Sequence, residues 1–414
     1  MKKTLAAVAV LGAFAGSALA ADVTLYGKVD LGLQYLNTNT DQMTYDVEAD
    51  KYGMQNVKKD SWGLKSGSNS SSRFGIKGSE QIADGLTVGF QLEQGFTADD
   101  GKFSDDTQAF SREARLYIQT DFGEIGLGRM GGLDSGLGSY DVVSKGYAFG
   151  TGWGSSIGDS SAILLGESGR MDNVITYKSP SFAGVTVLAQ ASLEKSGSSD
   201  SKTEGSSDAE RYYALGVTGA WGNLATALVF STTDYKRDWV NAEGLGAAES
   251  MTDAEYAKEE GREDMSKVIT GYVSYDFGVV KPMLAAQYFD DLKGMSVTTD
   301  GVATTTKEFS FLSDISKKGY GVMLGATAPV GAGTLYATLG YNDFESTVGF
   351  DEDGKMKFDT VQFGVGYQYP LSKRTYVYTA AGYTKLSGDF KLDGQKYDPE
   401  TKTTEVVAGI VHNF

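Results

Sequence analysis

Apolar and polar residues alternate from Val23 onward. Val23, Leu25, Val29, Leu31, Leu33 and Tyr35 share one parity, and Thr24, Tyr26, Lys28, Asp30 and Gln34 the other. Successive side chains of a strand point to opposite faces, so this stretch makes a strand with one apolar and one charged side. The same period of two returns at Phe74 and Ile76 against Arg73 and Lys77, and at Leu86, Val88, Phe90 and Leu92 against Thr87, Gln91 and Glu93. Leu116 and Ile118 oppose Arg115, Tyr117 and Gln119 in the same way. Later copies run through Val185 and Val187, through Ile269, Val273 and Tyr275, from Val361 to Tyr369, and from Val406 to Phe414.

Seven short turn signals punctuate these runs: Ala83-Asp84-Gly85, Asp121-Phe122-Gly123, Pro180 to Gly184, Trp221-Gly222-Asn223, Asp276-Phe277-Gly278, Pro329 to Gly333, and Pro370 to Arg374. Eight longer polar stretches lie between them, near 37–70, 97–108, 131–169, 193–210, 233–265, 290–317, 343–356 and 387–402. Seven tight turns alternating with eight long loops connect 16 strands. An even number of antiparallel strands, short turns at one end and long loops at the other, is the organisation of a barrel that spans an outer membrane. The expected fold is therefore all-β, a 16-stranded antiparallel transmembrane barrel occupying residues 21–414 as one domain.

Composition permits this reading. After the N-terminal segment no apolar run approaches the 18 or more residues of a spanning helix, and the mean hydropathy of −0.25 is modest. A spanning strand needs only every second residue apolar, so a low average and a lipid-facing wall are compatible. In lipid every backbone N–H and C=O must be paired, which a sheet achieves only by closing on itself. At 16 strands the bore is too wide for side chains to fill, and water remains inside. Tyr35, Tyr275, Tyr341, Tyr369, Tyr383 and Phe414 are expected near strand ends, where amphipathic rings suit the membrane interface. A soluble β-sandwich is the competing fold, but no linker or composition break divides the chain into the several domains such a length would require.

Residues 1–20 read as an export leader: Lys2 and Lys3, an apolar run from Leu5 to Phe14, then Ala18-Leu19-Ala20 as a cleavage site. The chain carries 37 basic and 54 acidic residues, a formal charge of −17, and loses two further positive charges with the leader. This surplus disfavours nucleic acid as a partner. Much of it sits in loops, at Asp99-Asp100, Asp105-Asp106, Glu259-Glu260 and Asp351-Glu352-Asp353. There it would solvate loop tips, or be bridged by divalent cations to lipopolysaccharide.

The stretch 131–169 is too long and too glycine-rich for an ordinary hairpin loop, yet Tyr140, Tyr147, Phe149, Trp153 and Ile163-Leu164-Leu165 give it apolar surface that must pack. It is expected to fold into the barrel and narrow the water-filled bore.

Several motifs resemble the Gram-negative general porins, trimeric diffusion channels of the outer membrane. They are Ser71-Ser72-Arg73-Phe74-Gly75-Ile76-Lys77-Gly78-Ser79-Glu80, then Arg112-Glu113-Ala114-Arg115, Leu127-Gly128-Arg129, Asn173 to Pro180, Tyr369 to Thr375, and the terminal Val411-His412-Asn413-Phe414. The resemblance runs from the first strand to the last and keeps the family's order. It implies that the third long loop folds inward and faces a ladder of basic residues on the wall, here Lys28, Arg73, Arg115 and Arg170. Parity independently places Lys28, Arg73 and Arg115 on the polar face, and Arg170 shares its face with Thr176 and Lys178. The family's Pro-Glu-Phe-Gly-Gly loop motif has no copy, since Tyr147-Ala148-Phe149-Gly150 lacks the proline and the acid. The acidic side of the constriction is thus left to Asp134, Asp141, Asp159 and Glu167, with Asp141 nearest mid-loop. Arg129, on the parity of Leu127, points outward to a subunit contact.

Opposed fixed charges across a narrow wet gap orient and filter solutes. The expected function is passive diffusion of ions and small hydrophilic solutes across the outer membrane, with a mild cation preference, in a homotrimer surrounded by lipid and lipopolysaccharide. The alternatives are a channel selective for sugars or small anions, and a structural or adhesive barrel acting through its external loops. Tyr26 and Tyr117 are inward aromatics but too few for a sugar track. No enzyme, cofactor or metal site is expected. There is no cysteine and one histidine, His412, on the outward face of the last strand, whereas hydrolytic barrels need a histidine as base. Gly126-Leu127-Gly128-Arg129-Met130-Gly131 has dinucleotide-fingerprint spacing but follows a turn and opens no helix.

Overall fold

The computed structural model describes residues 23–46, 51–166, 168–195, 209–235, 265–293, 316–346, 356–392 and 394–414. The leader expected over 1–20, the loop acid Glu167, and the acidic pairs and runs at 259–260 and 351–353 lie outside the described residues. The strands are β1 (Thr24–Asp46), β2 (Lys51–Ser66), β3 (Arg73–Ala83), β4 (Leu86–Gly95), β5 (Glu113–Thr120), β6 (Gly123–Gly131), β7 (Arg170–Lys178), β8 (Val185–Ser192) and β9 (Arg211–Trp221). They continue with β10 (Leu224–Asp234), β11 (Lys267–Tyr275), β12 (Lys281–Lys293), β13 (Ser316–Val330), β14 (Gly333–Ser346), β15 (Met356–Pro370), β16 (Thr375–Leu392), β17 (Gln395–Tyr397) and β18 (Glu400–Asn413).

Each strand pairs antiparallel with its neighbour, and β1 pairs with β18 from Lys28↔Asn413 to Thr40↔Thr401, which closes the sheet. The wall has 16 staves because β2 and β3 share one. β1 pairs with β2 from Leu31 upward and with β3 from Lys28 downward. β17 only extends the hairpin between β16 and β18. All seven tight turns fall where the turn signals place them.

The outward parity is the apolar one. Leu25, Leu33 and Leu215 are 55–61 % exposed, and Ile175, Val217, Val273, Leu339, Phe363 and Ile410 stand out with them. So much exposed apolar side chain has no place on a water-soluble cylinder but suits lipid. Phe122, Phe182, Trp221 and Phe277 ring the tight-turn end, and Trp62 meets Tyr35 in a tilted contact with ring centroids 4.6 Å apart towards the other.

Two stretches read as loops are sheet instead. β1 and β2 continue through most of 37–70 as a long hairpin, and β16, β17 and β18 run through most of 387–402. The cause lies in residues such as Thr38, Thr40, Tyr45 and Tyr52, which favour strands. Apolar side chains there, Met43 and Tyr52 with Met356, Phe390 and Tyr397, meet one another rather than lipid, so the extension lacks the outward apolar row that marks a spanning strand.

The third long loop folds inward, as expected. From β6 it crosses the bore and lies against the far wall, where inward glycines leave it room. A Cβ on Gly364 would sit 1.4 Å from Ile157 O, and one on Gly321 2.2 Å from Ile163 O. On Gly340 it would meet Ile163 Cγ1 at 2.5 Å, and on Gly382 Ile157 Cα at 2.3 Å. Two apolar clusters hold the loop down. Leu133, Val143, Tyr147, Ile163 and Leu164 pack on Leu188, Tyr212, Val229, Tyr272 and Met323, while Phe149, Trp153 and Ile157 pack near Met283, Tyr378, Val407 and Val411. The expectation of water along the whole inner face is corrected here: beneath the loop the inner parity turns apolar, because those side chains meet protein.

Hydrogen bonds pin the loop as well. Asn342 Nδ2 donates to Ala162 O (3.0 Å), Gly166 N–H to Gln287 Oε1 (2.7 Å), and Ser156 N–H to Glu405 Oε2 (3.0 Å). Glu405 is fully buried and also accepts from Gln34. Glu405→Ala would leave the buried Ser156 N–H unpaired, a loss of about 1–3 kcal/mol, and would free the half-buried Gln34 amide. Limited proteolysis should then cut within 131–169 faster than in the native protein, whereas Glu405→Gln, which keeps an acceptor, should be milder.

Candidate functional site

One part of the interior stays open. A space of about 400 Å3 is bounded by the wall strands β3, β4 and β7, by the residues leading into β5, by loop residues 136–139 and 149–152, and by Asn69, Ser70 and Ser71. Arg73, Arg112 and Arg170 bring three guanidiniums to it, and Glu93 and Glu113 two carboxylates.

The wall parity positions most of these. Register sets Arg73 beside Gly95 and Lys28, and Glu93 beside Gly75 and Glu113. Arg112 Nε bonds Glu93 Oε1 at 2.7 Å, and Arg73 Nε stands 3.8 Å from Glu93 Oε2. Tyr26 OH donates to the same carboxylate at 3.0 Å. Arg115 lies just below, ion-paired to Glu113 (3.0 Å) and Glu124 (3.1 Å), its guanidinium over the rings of Tyr117 and Tyr140 at 4.7 and 5.0 Å. Lys28 Nζ donates to Ser70 Oγ at 3.1 Å. Arg170 has no carboxylate partner among the described residues, and its Nε is buried without an acceptor.

The structure thus brings Arg73 and Arg170 together at the open space, places Lys28 beside it on Ser70, and sets Arg115 in an ion-pair network on the wall. The loop acids among the described residues lie elsewhere. Asp134 is fully buried and accepts from Ser168, Tyr212 OH (2.9 Å) and Ser231 Oγ (2.5 Å). Asp141 accepts from Val143 N–H (2.9 Å), Ser144 N–H and the Ser144 hydroxyl, closing the 3-10 turn Ser144–Gly146, and burial pushes its carboxyl up. Asp159 caps the turn Ser160–Ala162 through Ser161 N–H at 3.0 Å. Short polar side chains that bond nearby backbone N–H groups make turns fold, and Asp141 and Asp159 are held in that way, whereas Asp134 is held by three hydroxyls. The acids beside the arginines come instead from the wall.

Three residues of the site were not singled out from the sequence. Glu93 and Glu113 share the parity of Gln91 and Arg115, so alternation alone would have found them. Arg112 was hidden because it stands one residue before β5 begins, where the ladder's parity does not apply; it reaches inward to Glu93. Arg129 pairs across the wall with Asp172 at 2.6 Å.

A model of the Gram-negative porin family matches residues 6–389. An outer membrane porin protein of Bordetella pertussis is 30 % identical over all of both chains. Outer membrane porin protein 32 of Delftia acidovorans is 28 % identical, over 93 % of this chain and 90 % of its own. Among solved structures, an anion-selective porin from Comamonas acidovorans aligns over 95 % of this chain and all of its own, with a TM-score of 0.58 and 23 % identity. In-vitro folded OmpT of Vibrio cholerae aligns over 96 % of this chain and 99 % of its own, with a TM-score of 0.57 and 15 % identity.

Proposed function

Because the chain belongs to the Gram-negative porin family, we propose that this outer-membrane porin passes ions and small hydrophilic solutes by diffusion through the space beside Arg73, Arg112 and Arg170, narrowed by loop 131–169 and preferring anions. One observation carries the sign: three guanidiniums meet two carboxylates there, and the described loop acids are held by hydrogen bonds of their own. Arg73 and Arg112 share Glu93, at 3.8 and 2.7 Å, and Arg115 pairs with Glu113 and Glu124, at 3.0 and 3.1 Å, so with Arg170 four guanidiniums exceed three carboxylates by one charge. This reverses the cation preference expected from the acidic loops. A solvated charge acts weakly on an ion more than a Debye length away, about 8 Å at physiological salt.

The magnitude is modest. A unit charge about 6 Å from an ion in bulk-like water is worth about 0.7 kcal/mol, which enriches anions about threefold and depletes cations equally. Each uncompensated arginine acts at that scale, so the preference is graded rather than absolute. We also assign the protein to a homotrimer set in outer-membrane lipid and lipopolysaccharide and exported through the leader at 1–20, on the strength of the family and the apolar outer face.

A planar bilayer under a KCl gradient tests the reading. The dilute side is expected to go negative at zero current, the sign of anion preference. A positive dilute side would overturn it, and a purified barrel that gives no conductance steps would favour the structural or adhesive reading.

A further inference from the structure

We infer that residues 67–72 form a second constricting element of the passage, separate from the long loop, and that Asp30 is the residue that positions it. The inference rests on the reading that solutes cross the space beside the arginines.

Counting along the wall reveals the element. β1 pairs Leu31 with Ser66 and Lys28 with Arg73, so only Val29 and Asp30 stand opposite Gly67 to Ser72. Two residues cannot match six in a ladder, and the surplus backbone must leave the wall on one side or the other. Asp30 settles which. It shares the inward parity of Lys28 and is fully buried. Its Oδ2 accepts from Asn69 N–H and Ser70 N–H, both at 2.8 Å, while Oδ1 accepts from Tyr378 OH at 2.7 Å. A carboxylate with three donors is a strong anchor, and a buried one needs them all. Ser72 Oγ accepts from Asp30 N–H at 3.0 Å, and Gly67 N–H donates to Asp30 O at 3.1 Å, so both ends of the excursion are tied to the same residue. Gly67 supplies the positive φ (77°) that starts the turn.

The excursion reaches the passage and the loop together. Asn69, Ser70 and Ser71 line the open space. Tyr376 OH donates to Asn69 Oδ1 at 2.8 Å, and a Cβ on Gly152 of the loop would sit 2.0 Å from Asn69 O. The rim is therefore built from two inward segments in contact, one rooted at β6 and β7, the other at Asp30. The second offers hydroxyl and amide groups without a carboxylate, so it narrows the bore without neutralising the arginines. Asp30 acts through that segment and needs no contact with solute.

The chain has no cysteine, so introduced thiols are unique labels. Ser71→Cys, treated in a bilayer with a sulfonated methanethiosulfonate, is expected to lose single-channel current stepwise and to shift its reversal potential toward cations. In an Asp30→Asn background, where an amide N–H2 faces two N–H donors, the unlabelled conductance should rise and labelling at position 71 should remove a smaller fraction of it. Ser139→Cys on the long loop separates the two readings. Current that responds to label at 139 but not at 71 overturns the second element and leaves the proposed pathway standing. Current that responds at neither position overturns both. Equal loss at position 71 with and without Asp30→Asn removes Asp30 from the positioning role.

Discussion

Gly364→Leu is expected to drive loop 131–169 off its bed and widen the bore. The Cβ position lies 1.4 Å from the Ile157 carbonyl oxygen, a backbone atom that no side-chain rotation can move. Overpacking of this kind typically costs about 1–3 kcal/mol even where neighbours can shift. Here the loop must lift, and with it goes the burial of Ile157, Trp153 and Phe149, each worth about 1.5–3 kcal/mol. Expulsion is the cheaper outcome, because the wall's ladder at Gly364↔Gly382 and Thr338↔Gly364 is untouched. Single-channel conductance should rise, and liposome swelling should show entry of sugars that the native protein excludes. Gly63→Leu is the control, since a Cβ there meets nothing within 4 Å. A Gly364 variant that folds and conducts as the native protein does would show that the loop's seat does not set the bore.

The second large effect is expected from Arg73→Gln with Arg170→Gln. Arg170 has no carboxylate partner among the described residues, and Arg73 stands 3.8 Å from a Glu93 that Arg112 already holds at 2.7 Å. With them gone, Arg112 and Arg115 face Glu93, Glu113 and Glu124, and the balance of these groups turns from one positive charge to one negative. At about 0.7 kcal/mol per charge, losing two shifts the anion-to-cation ratio by roughly two orders of magnitude at most, less with salt screening. The reversal potential under a KCl gradient should cross zero. Arg115→Gln should change it far less, because that charge is already matched by Glu113 and Glu124, at 3.0 and 3.1 Å. An unchanged reversal potential in the double variant would remove both residues from the conduction path.

What the chain discloses before folding follows from which solvent each residue meets. Lipid tolerates no mixed face, so Leu25, Leu33, Phe363 and Ile410 announce their side by alternation alone, and the seven tight turns announce theirs through glycine, proline and aspartate. The basic wall was legible for the same reason: Lys28, Arg73 and Arg115 hold the parity opposite to those apolar residues. Legibility stops where a side chain meets protein. Met323 and Val407 face inward yet are apolar, because the loop covers them, and no local pattern says what will cover a residue. Asp134, Asp141 and Asp159 illustrate the same limit: a carboxylate in a glycine-rich stretch reads equally as a lumenal charge or a turn cap, and only its hydrogen-bond partners decide. Arg112 escaped because it stands at the last residue before a ladder begins. The run Gly67 to Ser72 escaped because a serine-rich stretch between two strands looks like an ordinary connection until the residues opposite it are counted.

The seam between β1 and β18 has a consequence for biogenesis. Gly27 N–H donates to Phe414 O and Phe414 N–H to Gly27 O, both at 3.0 Å, so the first spanning strand waits for a partner about 390 residues later in the chain. Closing so long a segment carries a large entropic penalty before any of its hydrogen bonds form. Until then both margins of the sheet present unpaired N–H and C=O groups, which lipid will not accept. Insertion is therefore a late, all-or-nothing step that nascent chains on the ribosome have no means of starting. Deleting the residues of β18 that pair with β1 should leave the polypeptide in the hands of periplasmic chaperones and proteases.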